Sequence, residues 1–329
     1  MFWKNVLIGF TLVVSMASAK DYAGAELYSK ESFKYGKFEA RMFMGAGSGV
    51  VSSMFLYYDD SLRGGEDPWR EVDIEVLGKS PEGFQTNIIT GNASKKIMSE
   101  DHHDLPTPAN KAYQTYAMEW TPDYIAWLVD GKEVRRSTDQ QVIDCRDSEQ
   151  SLRFNLWVAN IVSWVGQFDE SILPVYQYID WIQFSSYDED TKEFSLDWRD
   201  DFDEEDLDSR WGTANWTFAE NEVDFEPDNV VIKQGKLILS LTKPPMLGHE
   251  GEVPQDNGET TAVVSQVQLE KLTWNQWQEK PLGKTWKGVQ VVNSKGEVYS
   301  NIQVQEQGSK FRILNLGKVP KGNWFFYLP

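Results

Sequence analysis

The eleven residues Trp69-Arg70-Glu71-Val72-Asp73-Ile74-Glu75-Val76-Leu77-Gly78-Lys79 constrain this chain more than any other stretch. Read with a period of two, they place Trp69, Glu71, Asp73 and Glu75 on one face of a strand and Val72, Ile74 and Val76 on the other. The second face is that of an ordinary core strand. The first carries three carboxylates within five residues, and such crowding opposes folding, because like charges on one strand face repel and raise each other's pKa. Two readings follow: a solvated acidic edge strand, or a carboxylate catalytic site in a cleft.

Geometry sharpens the second reading. At about 3.3 Å per residue the Cα atoms of Glu71 and Glu75 are about 13 Å apart, and two side chains of roughly 4 Å leaning inward leave a gap of about 5 Å. That gap suits a retaining glycosidase, in which one carboxylate attacks the anomeric carbon while the other protonates the leaving oxygen; an inverting pair needs room for a water. Asp73, between them, can keep the proton inventory uneven.

The chain of 329 residues has a formal net charge of -19, which argues against nucleic acid and anionic membranes as partners. The 14 Trp, 13 Tyr and 17 Phe suit a protein that stacks flat neutral ligands such as sugar rings, although core packing is the alternative for each of them. Residues 1–19 read as a secretory signal, with Lys4, an apolar run from Val6 to Val14 and Ala17-Ser18-Ala19; cleavage would leave Lys20 first. No stretch is long and apolar enough to span a membrane, and the expected form is a secreted monomer at or outside the cell surface. Cys145 is the only cysteine, so no intramolecular disulfide is available.

From residue 20 to 243 short alternating runs recur, at 36–44, 50–57, 84–90, 113–120, 124–129, 152–157 and 179–184, with further runs at 194–202, 211–218, 229–232 and 236–242. Asp130-Gly131 signals a two-residue hairpin. No long amphipathic helix is evident, so the fold expected is all-β, a β-sandwich of jelly-roll type. The acidic connector at 187–193 is where a hinge would fall, but the strands beyond it alternate like those before it, so one sandwich is expected. Residues 244–285, which are poor in periodicity, read as a linker, and 286–329 as a small C-terminal β module. His102-His103 lies in a polar loop without zinc-site spacing, Gly45–Gly49 is a turn rather than a phosphate loop, and residues 200–208 are an acidic, solvated loop.

Glu71-Val72-Asp73-Ile74-Glu75 resembles the Glu-x-Asp-x-Glu signature of glycoside hydrolase family 16, and the match extends over 20–243, including Phe84–Gly91. The uninterrupted motif resembles the lichenase and xyloglucan branch rather than the laminarinase branch, which carries an extra residue. The aromatic segments Asp197–Phe202 and Asn215–Phe218 follow the motif instead of preceding it, as in a circularly permuted lichenase, so the same concanavalin A-like sandwich is implied. The resemblance implies Glu71 as nucleophile, Glu75 as general acid/base and Asp73 as the residue that tunes them. It implies a substrate cleft at Phe55, Tyr57, Trp69, Gln85, Asn87, Trp157, Trp164, Trp216 and Phe218, with looser matches at Glu26, Arg153 and Asn221. It also implies a structural calcium at Asp180, Asp201 and Gly235, no cofactor for catalysis, and a C-terminal module like those used in secretion or sorting.

The activity implied is endo-hydrolysis of mixed-linkage β-1,3-1,4-glucan with retention. The alternatives are another β-glucan (xyloglucan or laminarin), transglycosylation, or a glucan-binding lectin without activity. Two departures bear on subsite preference: Val158–Ser163 is less polar than its counterpart in the family, and Asn221-Glu222 replaces an Asn-Arg pair.

Overall fold

The computed structural model describes residues 19–256 throughout and, beyond them, the backbone of five strands between 272 and 327. The expected signal sequence and most of the expected linker lie outside the described residues. Up to residue 256 the strands are β1 (Tyr22–Phe33), β2 (Gly36–Phe43), β3 (Val50–Tyr57), β4 (Glu71–Leu77), β5 (Gly83–Asn92), β6 (Lys95–Met98), β7 (Asp101–Asp104), β8 (Gln114–Trp120), β9 (Ile125–Val129), β10 (Lys132–Ser137), β11 (Gln150–Val158), β12 (Val175–Asp188), β13 (Glu193–Asp200), β14 (Trp211–Thr213), β15 (Val223–Phe225), β16 (Val230–Lys233) and β17 (Lys236–Leu241). No described helix exceeds five residues; α1 covers Gln140–Asp144 and α2 covers Val162–Val165.

Two sheets form the sandwich. The first runs β14-β1-β11-β3-β4-β5-β6, with β15 and β7 paired at its margins; the second runs β10-β9-β8-β2-β12-β17-β16, with β13 paired to β12. Their facing sides make the core, because alternation turns Val72, Ile74, Val76, Met54, Leu56, Phe154 and Leu156 inward from the first sheet. Phe38, Met42, Tyr116, Met118, Trp120 and Trp127 meet them from the second. Burying each such side chain stabilises the fold by about 1.5–3 kcal/mol. The all-β sandwich expected from the alternating runs is therefore what forms.

The ends of the sandwich lie side by side. Ala23 N donates to Thr242 O at 3.0 Å and Thr242 N donates to Ala23 O at 2.8 Å, the adjacency that a circular permutation requires. The Asp130-Gly131 hairpin forms with positive φ at both residues, 48° and 75°, as a type I′ turn demands.

Three expectations change. The acidic connector is no hinge: β12 continues to Asp188 and pairs with β13, and the Asp188 carboxylate closes the turn by accepting from the amides of Asp190 and Thr191. His102-His103 lies in a strand instead of a loop, since residues 101–104 pair with β5 as β7. The compact unit also extends past Lys243. Residues 244–256 lie as a strap on the outer face of the second sheet, where Val253 packs with Tyr113, Tyr178 and Ile238. His249 sits against Tyr176, and Arg41 of β2 is held by Asp256 through its Nε and, at 2.8 Å, its Nη2. Contacts divide the chain at residues 262 and 263. The second unit is one sheet, β18 (Leu272–Thr273), β19 (Trp286–Asn293), β20 (Val298–Gln307), β21 (Lys310–Ile313) and β22 (Trp324–Tyr327), in the order β18-β22-β19-β20-β21.

Candidate active site

The outer face of the first sheet gathers the residues singled out above. β4 runs without a bulge: Glu71, Asp73 and Glu75 stand opposite Tyr57, Phe55 and Ser53 of β3, and opposite Ile89, Asn87 and Gln85 of β5. Beyond β3, the same alternation turns Arg153, Asn155 and Trp157 of β11 outward, and next to them Glu26 and Tyr28 of β1. A period of two, repeated over five adjacent strands, thus produces a continuous polar and aromatic surface from residues spread over more than a hundred positions. The solvated-edge reading of the carboxylate strand is overturned, because β4 lies inside the sheet.

Each carboxylate of the row has its own environment. Trp69 Nε1 donates to Glu71 Oε2 at 2.7 Å, and Gln85 Nε2 donates to Glu75 Oε2 at 2.7 Å. Burial pushes the Glu75 carboxyl up to about 8, and the neighbouring Glu71 charge adds to this. Burial first, then Glu71 and Glu75, drive Asp73 well above the usual carboxylate range. Burial raises Glu71 too, but the Trp69 N–H, Lys96 and Arg153 all favour its anion. The three groups therefore titrate as one set that holds fewer than three charges near neutrality. From across the core, Trp127 Nε1 donates to Asp73 O at 3.0 Å and pins the catalytic strand to the second sheet.

The aromatic residues form two groups. Tyr57 meets Trp69 edge to face at 5.7 Å and Phe55 at 6.3 Å. Trp157 meets Trp164 at 6.0 Å and Phe218 at 5.0 Å, while Trp216 packs on Tyr28 at 5.5 Å and stays one-third exposed. The nine expected cleft positions are thus brought together on or beside one face, and the two polar ones, Gln85 and Asn87, are already engaged within the protein. Gln85 is a bridge, since its Oε1 accepts from Trp164 Nε1 at 3.0 Å while its nitrogen holds Glu75. Asn87 uses its oxygen to accept from Ser99 N at 3.0 Å.

The looser matches also have defined places. Arg153 Nη1 donates to Glu26 at 2.7 Å and Nη2 to Asp59 at 2.8 Å, and its guanidinium faces the rings of Tyr28, Tyr57 and Trp216. Burial raises the Glu26 carboxyl against the pull of Arg153. Asn221 accepts from Val223 N at 2.9 Å, behind the Phe218 segment. Sequence reading missed Ser53, Asn155, Tyr28, Asp59 and Trp127. The first two carried a usable signal, because each shares strand parity with residues already chosen, Phe55 and Tyr57 in one case and Trp157 in the other.

The expected calcium residues meet at one edge of β12, as the pairings of Ile179 with Leu237 and of Ile182 with Asp200 require. Their oxygens are engaged, however. Lys236 Nζ lies 2.7 Å from Asp180 Oδ1 and donates to Gly235 O at 3.4 Å, and Arg199 holds Asp201. One oxygen of each carboxylate is paired with a cationic side chain, so a hard cation that takes six to eight oxygens would have to compete with Lys236 and Arg199 for this set. Among the described residues no three His, Cys, Asp or Glu side chains form another metal-binding group. No described helix is long and apolar enough to cross a membrane.

Comparison with known proteins gives consistent results. The family described as "Glycosyl hydrolases family 16" matches residues 4–183. The chain is 50% identical over 244 residues to a beta-glucanase of Fibrobacter succinogenes, covering 73% of this chain and 69% of that one. It is 34% identical over 180 residues to a beta-glucanase of Brevibacillus brevis, covering 54% of this chain and 66% of the relative. Among solved structures, a Bacillus licheniformis beta-glucanase is similar at 29% identity and a TM-score of 0.42, over 48% of this chain and 70% of that one.

Proposed function

This chain belongs to glycoside hydrolase family 16, and on that premise we propose that it is an endo-acting β-glucanase that cleaves mixed-linkage β-1,3-1,4-glucan with retention. The observation that carries the reading is the unbulged row of Glu71, Asp73 and Glu75, with an indole N–H on the first and a carboxamide on the last.

The chemistry follows from the unequal environments. Glu71 receives the Trp69 N–H and faces Arg153 and Lys96, so it is the member best kept as an anion, and it attacks the anomeric carbon. Glu75, pushed up to about 8, carries a proton at neutral pH and gives it to the departing glycosidic oxygen. After the leaving chain diffuses away, the Glu75 carboxylate takes a proton from water, which displaces Glu71 and restores the starting configuration. Asp73 lies between them, and burial together with the two glutamate charges disfavours its anion, which opposes a third charge in the row. The aromatic faces of Trp157, Trp164, Trp216 and Phe218 offer apolar area to pyranose rings.

Residues 1–19 are read as the export signal. In support, Lys20 N donates to Asp224 Oδ2 at 2.9 Å, so cleavage after Ala19 would leave an α-ammonium beside a carboxylate. N-terminal sequencing of secreted protein should begin at Lys20.

The test is product analysis on barley β-glucan, with the anomer followed by proton NMR, for the wild type, Glu71→Gln and Glu75→Gln. Initial β-anomer oligosaccharides from the wild type alone support the retaining glucanase. Initial α-anomer would overturn retention. Activity confined to xyloglucan or laminarin would move the substrate, and retention on immobilised glucan without sugar release would leave a lectin.

A further inference from the structure

Two exposed charged side chains outside the carboxylate strand, Lys96 and Glu100, stand on the side of its outer face beyond β5, and only the first has entered the steps above, as a charge that Glu71 faces. β6 and β7 pair with β5 in one continuous register: Lys96 lies opposite Gly91, Met98 opposite Ile89 and His102 opposite Gln85. Glu100 therefore falls level with Asn87, and alternation places Lys96, Met98, Glu100 and His102 on the face that carries the carboxylate row. Gly91 has no side chain, and its carbonyl accepts from Trp69 N at 2.8 Å. Across that gap the Lys96 ammonium lies 3.4 Å from the centre of the Trp69 ring, the same ring whose N–H holds Glu71. Glu100 sits further along the strand, beside His102 Nε2 at 3.1 Å, toward the Glu75 end.

We propose that the outermost strand of the cleft, residues 95–102, polarises the catalytic pair: Lys96 clasps the Trp69 indole on the nucleophile side and Glu100 sets a negative charge on the acid/base side. Both are positioning residues, and the proposal rests on the roles assigned to Glu71 and Glu75. A cation over an indole is attracted by the ring face and fixes its orientation. Each charge also biases the nearer carboxyl, Lys96 toward the anion of Glu71 and Glu100 toward the protonated form of Glu75. The other groups facing Glu71 are Tyr57 from β3, Arg153 from β11, Glu26 from β1, and Asp73 and Glu75 from its own strand. Those facing Glu75 are Ser53 from β3, Gln85 from β5, His102 from β7, which is level with Gln85 and 3.1 Å from Glu100, and Glu71 and Asp73 from its own strand. Arg153 acts in the same sense as Lys96. A neutral polysaccharide offers neither charge a partner, so the two opposite signs, Lys96 beyond the Glu71 end and Glu100 level with Asp73, have their effect on the glutamates.

The test is carboxyl 13C NMR titration of the full chain labelled at Glu, with Glu71→Gln and Glu75→Gln spectra to identify the two signals, alongside the pH profile of kcat/KM on soluble glucan. Lys96→Gln should move the Glu71 midpoint and the acid limb up by about half a pH unit, a size typical of a partly screened charge. Lys96→Arg should restore the wild-type values. Glu100→Gln should move the Glu75 midpoint and the alkaline limb down by a similar amount. Both shifts should shrink in 1 M salt, where the screening length is about 3 Å. Midpoints that stay in place in both Gln variants would overturn the proposal. Midpoints that move in a protein that releases no sugar would uphold the polarisation and sink the glucanase reading; unmoved midpoints in an active enzyme would do the reverse.

Discussion

The carboxylate row on the outer face of the first sheet and the charges on the outer face of the second are relieved in opposite ways, although Arg153 beside the row is paired with Glu26 and Asp59. On the second sheet, Arg41 is held by Asp256 of the strap, Asp180 by Lys236 and Asp201 by Arg199, so each of these charges has a partner of opposite sign. On the first sheet, three carboxylates stand in one row and their mutual repulsion is relieved by protons and neutral donors instead of by ion pairs. A face built for stability pairs its charges. A row that transfers protons, as proposed for Glu71, Asp73 and Glu75, keeps like charges close, so that the three groups are not all ionised together.

The largest effect that would break this comparison comes from neutralising the row. Glu71→Gln should lower kcat by about 10⁴-fold or more, because the nucleophile is lost. Glu75→Gln should lower it by about 10²- to 10⁴-fold, and less on an aryl glucoside whose leaving group needs no proton. A variant at Glu71 that kept ordinary turnover of barley glucan would mean that the row is not catalytic.

The same crowding should appear as a stability difference with a definite sign. Glu75 has a folded pKa of about 8, above its unfolded value, so the folded state binds the extra proton. Its contribution to stability is fully present below about pH 4 and is lost as pH rises through 8. Glu75→Gln should therefore flatten the fall in stability between pH 5 and 8 and recover about 4 kcal/mol at the upper end, read from urea unfolding at each pH. Asp73→Asn should act in the same direction. On the paired face the sign reverses. Asp256→Ala leaves the buried Arg41 guanidinium with only the more distant Asp130 carboxylate, at 3.8 Å, and should destabilise by about 2 kcal/mol, while glucan turnover at 25 °C stays at the wild-type rate. Equal pH dependence for the variants of both faces would remove the distinction.

The contrast also marks what the sequence alone can convey. The catalytic row is legible because its information is local: three carboxylates at spacing two, backed by Val72, Ile74 and Val76, fix both the strand and its orientation. The sandwich follows from the same alternation in the other runs. The strap at 244–256 is not legible, since Val253, His249 and Asp256 follow no period and their partners, such as Tyr113 and Arg41, lie 140 to 215 positions away. Gln85 is placed correctly beside Glu75, yet its second bond goes to Trp164, 79 positions on, and no local pattern reveals that its oxygen is taken. The acidic connector misleads because its composition suggests exposure, whereas an Asp that accepts two amides is what closes a tight turn.

The smallest effect concerns the cation at the edge of β12, and it tests whether pairing on the second face is complete. If the ammonium of Lys236 already satisfies Asp180 and the Gly235 carbonyl, calcium has no free carboxylate to bind there. Melting temperature should then differ by less than about 1 °C between calcium and EDTA, since a ligand that does not bind the native state cannot stabilise it. Lys236→Ala removes the competitor but leaves the oxygens; this variant should melt lower in EDTA and regain stability on adding calcium. A wild-type protein that loses several degrees in EDTA would instead show that a metal displaces the lysine at Asp180, Asp201 and Gly235, and that the second face too keeps an exchangeable cation.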